Sequence, residues 1–327
     1  MRADAVFEGG GVKGIGLVGA LTVAEEMGYR WVNVAGTSAG AMVAALLGAG
    51  YRAVELAELL RNLDYRLFLD RGFWGRLPLV GSALALLLDK GIYRGDALEA
   101  WMRELLEARG VRTFGDLLIP GETDPRFRFR VRVIASDISR GRLLALPQDI
   151  APYGIRPEDL DVARAVRMSA AIPFFFRPVP VTYPTPRGGF MAYVVDGGLL
   201  SNFPVWLFDV PGAPPWPTFG FKLVEPGSGR PHRIRGPISM AAAVVSTMME
   251  AHDARHLEDK DFVRTIAIPT LGVRTTDFDL PPERRQALFE AGRRAARSFF
   301  DRWNFAGYVQ RYRAAPPPPA AGRGAGA

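Results

Sequence analysis

The 327-residue sequence has no cysteine, histidine only at 232, 252 and 256, and lysine only at 13, 90, 222 and 260. Without cysteine there is no disulfide framework, no thiolate zinc site and no cysteine nucleophile. Three late histidines leave little room for chemistry that needs an imidazole. With so little lysine, arginine carries nearly all of the positive charge behind the net +7. The arginines are scattered, and no stretch interleaves basic with aromatic residues, so nucleic acid is not an expected partner. Long apolar runs are missing too. The longest, LPLVGSALALLL at 77–88, falls well short of the ~20 residues of a membrane-spanning helix. The start, MRADAVFEGGG, enters a strand-like run with no basic leader and no apolar h-region. No signal peptide is therefore expected, and the expected location is cytoplasmic. What remains is ordinary globular composition, 48% apolar and 23% charged, on a chain long enough to bury a substantial core.

Periodicity and glycine punctuation organise the chain. A strand is expected over 3–8, a glycine loop at 9–14, a helix over 12–28, a buried strand over 31–36 and a small-residue helix over 38–50. This is a β-loop-α-β-turn-α unit, the opening of a parallel α/β sheet. Further helices are expected over 52–63, 95–109, 159–176 (stopped by Pro173), 237–260 and 281–302. Further strands are expected over 127–138, with a hairpin return at 140–147, and over 191–198, 218–224 and 262–269. No repeat or linker divides residues 1–312, which read as one domain. The Pro/Ala/Gly-rich tail, 313–327, is expected to be disordered.

Three motifs carry chemistry. In VNVAGTSAGAMVAAL, Ser38 sits in a Gly-x-Ser-x-Gly frame between a strand and a helix. Gly36 and Gly40 remove side chains where those elements crowd together. The turn lifts the hydroxyl to a helix N-terminus, where the dipole favours developing negative charge. The bland alternative is a helix-capping serine. The second motif, GGGVKG, spans Gly9 to Gly14 and presents consecutive backbone N–H groups suited to a phosphate or an oxyanion. Its Gly9-Gly11-Gly14 spacing also fits a dinucleotide fingerprint, but the second strand ends in GTSAG with no acid for a ribose. A Walker A reading fails on the residues around Lys13, which is either a solvated lysine or a cation near a bound anion. The third motif is VVDGG, where Asp196 ends an apolar strand before Gly197 and Gly198. It either points into the crevice at the carboxyl ends of the strands or merely caps a turn.

A partner for Ser38 can be drawn in two ways. A Ser-Asp-His triad would run in the chain order Ser38, Asp196, then His232, His252 or His256. Only one strand precedes the serine strand, however, and the histidines lie in a basic loop and four apart on a helix. A Ser-Asp dyad instead lets Asp196 take the proton directly, provided that desolvation raises its pKa. With no imidazole to be charged, activity should persist at mildly acid pH.

FEGGGVKG, GTSAG and VVDGG, in this order, resemble the motifs of the patatin-like phospholipases, bacterial members especially. SAAIPFFF at 169–176 resembles that family's proline-containing segment. The resemblance spans roughly residues 4–280. It implies a three-layer α/β/α sandwich with a mostly parallel sheet, and a lipid acyl hydrolase of phospholipase A, lysophospholipase or carboxylesterase type that needs no metal or other cofactor. By motif position Ser38 is the nucleophile, Asp196 the base, and Gly10 and Gly11 the oxyanion donors. Lys13 takes the family's Arg/Lys place as an anion or phosphate contact. The expected partner is thus a lipid or phospholipid ester. An inactive lipid-binding module on the same fold is the remaining alternative. The aromatic and leucine-rich stretch 65–93, flanked by Arg66, Arg71, Arg76 and Lys90, is a candidate acyl-chain wall, lid or peripheral membrane contact.

Overall fold

Strand β1 (Arg2–Phe7) alternates its side chains between two buried faces, and this alternation builds the rest. Ala5 and Phe7 join one apolar cluster and Val6 another. The computed structural model describes residues 1–76, 81–186, 188–225 and 259–313, with seven further positions between 234 and 248. The central sheet has the order β10-β9-β1-β2-β4-β8-β7, with β5 beside β4. Its strands are β2 (Arg30–Thr37), β4 (Val131–Asp137), β5 (Arg142–Leu146), β7 (Val179–Tyr183), β8 (Phe190–Asp196), β9 (Thr218–Val224) and β10 (Thr265–Pro269). The five from β10 to β4 pair in parallel. A separate parallel pair joins β3 (Gly91–Tyr93) to β6 (Phe174–Phe176).

Helices α1 (Gly14–Glu26), α2 (Ala39–Gly48), α3 (Ala53–Asn62), α5 (Asp96–Glu107) and α6 (Val162–Ser169) contribute to the larger cluster, as does α8 (Pro282–Phe300). Short helices α4 (Gly81–Leu84), α7 (Asp259–Val263) and α9 (Phe305–Tyr312) complete the described set. The opposite face holds Val6, Ala35 and Ile134 under Leu207 and Phe208 of a 3-10 turn. The result is the expected three-layer α/β/α arrangement around a mostly parallel sheet.

One expectation needs correcting, and the direction of one strand, which the sequence left open, is fixed by the pairing. The helix expected over 159–176 is α6 alone. It ends at Ser169, and Phe174–Phe176 instead pairs with β3. Strand β8 also does not run with the parallel set. It is antiparallel to β4, with Asp196 opposite Ala135. β5 overlaps both β2 and β8 in register along β4. It must therefore occupy one edge of β4, while β2 and β8 share the other. β2 holds that edge up to Ile134, opposite Thr37, and β8 holds it from Ala135. Asp196 thus arrives at an end-to-end junction of two opposed strands, one position along β4 past the carboxyl end of parallel β2. Arg313, expected in the disordered tail, is described and pairs with Asp209 at 2.6 Å, while 314–327 and most of the helix expected over 237–260 lie outside the described residues.

Candidate active site

Ser38 stands at that junction. It leaves β2 and enters α2 with φ 53° and ψ −122°, a left-handed conformation that costs a non-glycine residue roughly 1–3 kcal/mol. The neighbouring glycines make the turn feasible. A Cβ on Gly36 would fall on the backbone of Gly40, and one on Gly40 would fall on the carbonyls of Phe7 and Glu8. Ser38 holds the N-cap position of α2, yet its side chain makes no capping hydrogen bond. The bland reading of a capping serine is therefore not what its hydroxyl does. The residue is 3% exposed, and its backbone N–H donates to Ser169 Oγ at 2.8 Å.

Asp196 is fully buried. Its Oδ1 accepts the Gly198 N–H at 2.8 Å, so one oxygen does make the expected Asp-Gly turn. Its Oδ2 is buried with no hydrogen-bond partner at conventional distance. Burial pushes the carboxyl up to about 7. The Gly198 N–H and, more weakly, the nearby Ser38 hydroxyl oppose the rise. A carboxylate–hydroxyl contact of this kind is commonly loose in an unliganded site and tightens on substrate. Asp4 is a useful contrast. Burial takes it to about 7 as well, but the Asn33 N–H at 3.0 Å and the Trp216 indole at 2.9 Å satisfy both of its oxygens. A raised pKa alone does not mark a site. The unpartnered oxygen beside a strained serine is what sets Asp196 apart from Asp4.

The glycine loop packs against this pair. Gly9 exchanges hydrogen bonds with Asn202, N–H to carbonyl at 3.1 Å and side-chain amide to carbonyl at 3.3 Å. Thr37 Oγ1 donates to the Ser201 carbonyl at 3.0 Å. These bonds tie the loop and the serine turn to the chain just after Asp196. The N–H groups of Glu8, Gly9, Val12 and Lys13 all donate to carbonyls, whereas those of Gly10 and Gly11 donate to no other described residue. Gly11 has φ 56°, and its Cβ position is filled by the Thr275 carbonyl, so only glycine fits. Half-buried Lys13 ends the 3-10 turn that follows. Gly14 opens α1, and Gly197 packs against the Ile134 carbonyl.

Beside Ser38 lies a cavity of about 730 Å³, open solvent included. Its walls are Met42, Val43 and Leu46 of α2, Leu56, Leu59 and Leu60 of α3, Leu98 and Trp101 of α5, and Tyr65, Phe68, Ile172, Phe176 and Phe278. Ser38 and Tyr65 are the polar side chains on this apolar lining. An ester whose carbonyl lay at Ser38 could place a hydrocarbon chain here. Sequence reading reached Phe68 but missed most of this wall and also Ser169. Leu98, Trp101 and Met102, spaced as one face of α5, were the legible signal. His232, His252 and His256 lie outside the described residues, as do Leu77 and Leu79. Among the described residues no three acidic or histidine side chains gather to hold a metal ion.

A family model described as Patatin-like phospholipase matches residues 5–209. "Uncharacterized protein YqhO" of Bacillus subtilis (strain 168) is 41% identical over 307 residues, which cover 93% of this chain and all of that protein. "Probable lipid hydrolase 463L" of Invertebrate iridescent virus 6 is 26% identical over 209 residues, 61% of each chain. Among solved structures, VipD from Legionella pneumophila superposes with a TM-score of 0.53 at 19% identity, covering 91% of this chain and 66% of that one. The chain thus spans about three fifths of the viral relative and under two thirds of VipD, and the likeness to VipD is one of fold.

Proposed function

Because the chain belongs to the patatin-like phospholipase family, we propose that it is a serine lipid acyl hydrolase working through a Ser38–Asp196 dyad. The observation that carries this reading is the Ser38 hydroxyl, not engaged in capping its helix, beside the unpartnered Oδ2 of buried Asp196 on the wall of an apolar cavity. Ser38 Oγ attacks the ester carbonyl as its proton passes to Asp196. The Gly10 and Gly11 N–H groups receive the oxyanion. The tetrahedral intermediate expels the alcohol or lysolipid, which takes the proton from Asp196. Asp196 then deprotonates a water that attacks acyl-Ser38, the fatty acid departs, and the proton returns to Ser38. Lys13, after the glycine loop, contacts the substrate's anionic headgroup.

The substrate is a lipid or phospholipid ester, met at a membrane surface through part of 65–93. Phe68 of that segment belongs to the core, whereas Phe73 is 74% and Leu87 79% exposed. No helix among the described residues is long and apolar enough to cross a membrane. A fluorophosphonate probe tests the nucleophile: wild type should label and Ser38→Ala should not. Incubation with a mixed lipid extract should then release fatty acids and lysolipids with wild type only. Unlabelled wild type would leave the inactive lipid-binding module as the reading, and undiminished labelling of Ser38→Ala would move the nucleophile to another residue.

A further inference from the structure

Where β2 stops and β8 ends against it, the strained serine turn and the acid need something to hold them in place. The chain leaving α6 supplies it. Ser169 Oγ accepts the Ser38 N–H at 2.8 Å and donates to the Ile134 carbonyl at 2.5 Å. Two residues on, the Ala171 carbonyl accepts the Asp196 N–H at 2.9 Å. Ser169 and Ala171 are fully buried, while the alternate residues Ala170 and Ile172 line the apolar cavity. Ser169 ends a helix that is itself fixed. Asp161 caps its start, and buried Arg167 donates to the carbonyls of Arg94 and Arg177.

We propose that Ser169 is a positioning residue for catalysis, and that residues 169–171 form a clamp that sets the Ser38 turn against Asp196. The inference rests on the dyad reading above. The Ser38 N–H is committed to Ser169, so it is not an oxyanion donor, and that task falls to the glycine loop. A buried N–H that loses its acceptor is costly, and here the loss falls on a residue already held at a positive φ. Relaxation of that turn rotates the hydroxyl away from Asp196.

The test compares wild type, Ser169→Ala and Ser169→Thr in the full chain by fluorophosphonate labelling rate, kcat and KM on a soluble ester, and thermal melting. Ser169→Ala should label roughly tenfold to a hundredfold more slowly, with kcat reduced in step and KM unchanged. Ser169→Thr, which keeps the hydroxyl, should recover most of the loss. Labelling of Ser169→Ala at the wild-type rate, well below its melting temperature, would overturn the clamp and leave the dyad standing. An equal loss in Ser169→Thr with its melting temperature unchanged would also overturn it. Wild type that fails to label at all would instead remove the dyad reading beneath it.

Discussion

At the scale of the residue, Asp196 binds two consequences together. Its carboxyl is pushed up to about 7 because full burial outweighs one backbone hydrogen bond and a nearby hydroxyl. As the proposed base, Asp196 must be ionised, so kcat/KM should fall about tenfold per pH unit below about 7. With Asp196 as the base, the acid limb is expected near neutrality, above the mildly acid range that the lack of an imidazole suggests. The stability sign runs the other way. An acid whose folded pKa exceeds its unfolded ~3.9 costs nothing below that value, and the folded state loses stability as pH rises towards 7. Three pH units correspond to about 4 kcal/mol. Asp196→Asn should thus abolish turnover and melt higher than wild type at pH 8, with the difference nearly gone at pH 4. Substitution of each histidine by alanine should leave turnover intact. An active Asp196→Asn, or a dead but folded histidine variant, would return the proton to an imidazole.

At the scale of the element, what was legible is what local chemistry determines. Glycine loops and 3.6-residue spacing placed α1 and α2 around Ser38, and an apolar run ending in acid placed β8. The direction of β8 was not legible, because a strand's orientation is set by the connection before it and not by its own residues. The early end of α6 was hidden for a similar reason. Ala170, Ala171 and Ile172 continue an apolar pattern, but the backbone there serves Asp196, and Phe176 pairs across to Tyr93. The segment 65–93 was legible as unusual, not as two-sided. Tyr65 and Phe68 face the core, while Phe73, Leu87 and Leu88 face solvent near Arg71 and Lys90. If that outer side meets lipid, Phe73→Ser with Leu87→Ser should weaken sedimentation with anionic vesicles several-fold. It should spare hydrolysis of a short soluble ester, since neither Phe73 nor Leu87 lines the cavity beside Ser38. Equal losses in both assays would assign these residues to the fold.

At the scale of the whole molecule, the cavity is the feature that no single motif announces. It exists only because α2, α3, α5, the turn at 65–68, the 170–176 segment and Phe278 converge on Ser38 from positions spread across the chain. Its apolar walls imply that substrate binding grows with acyl length until the space is full. Met42 lies on the wall one helical turn beyond Ser38, on the same side of α2. An indole there would take the place of several methylenes of an acyl chain laid along α2. Each buried methylene contributes ~0.8 kcal/mol, so denying about four costs ~3 kcal/mol, or roughly a hundredfold. Met42→Trp should therefore lower kcat/KM for a decanoate or longer ester by that order while leaving an acetate or butyrate ester near wild type. Labelling by a small fluorophosphonate should be unchanged. A uniform loss across chain lengths would mean that the acyl chain does not lie along α2. No loss at any length would place it outside this cavity altogether.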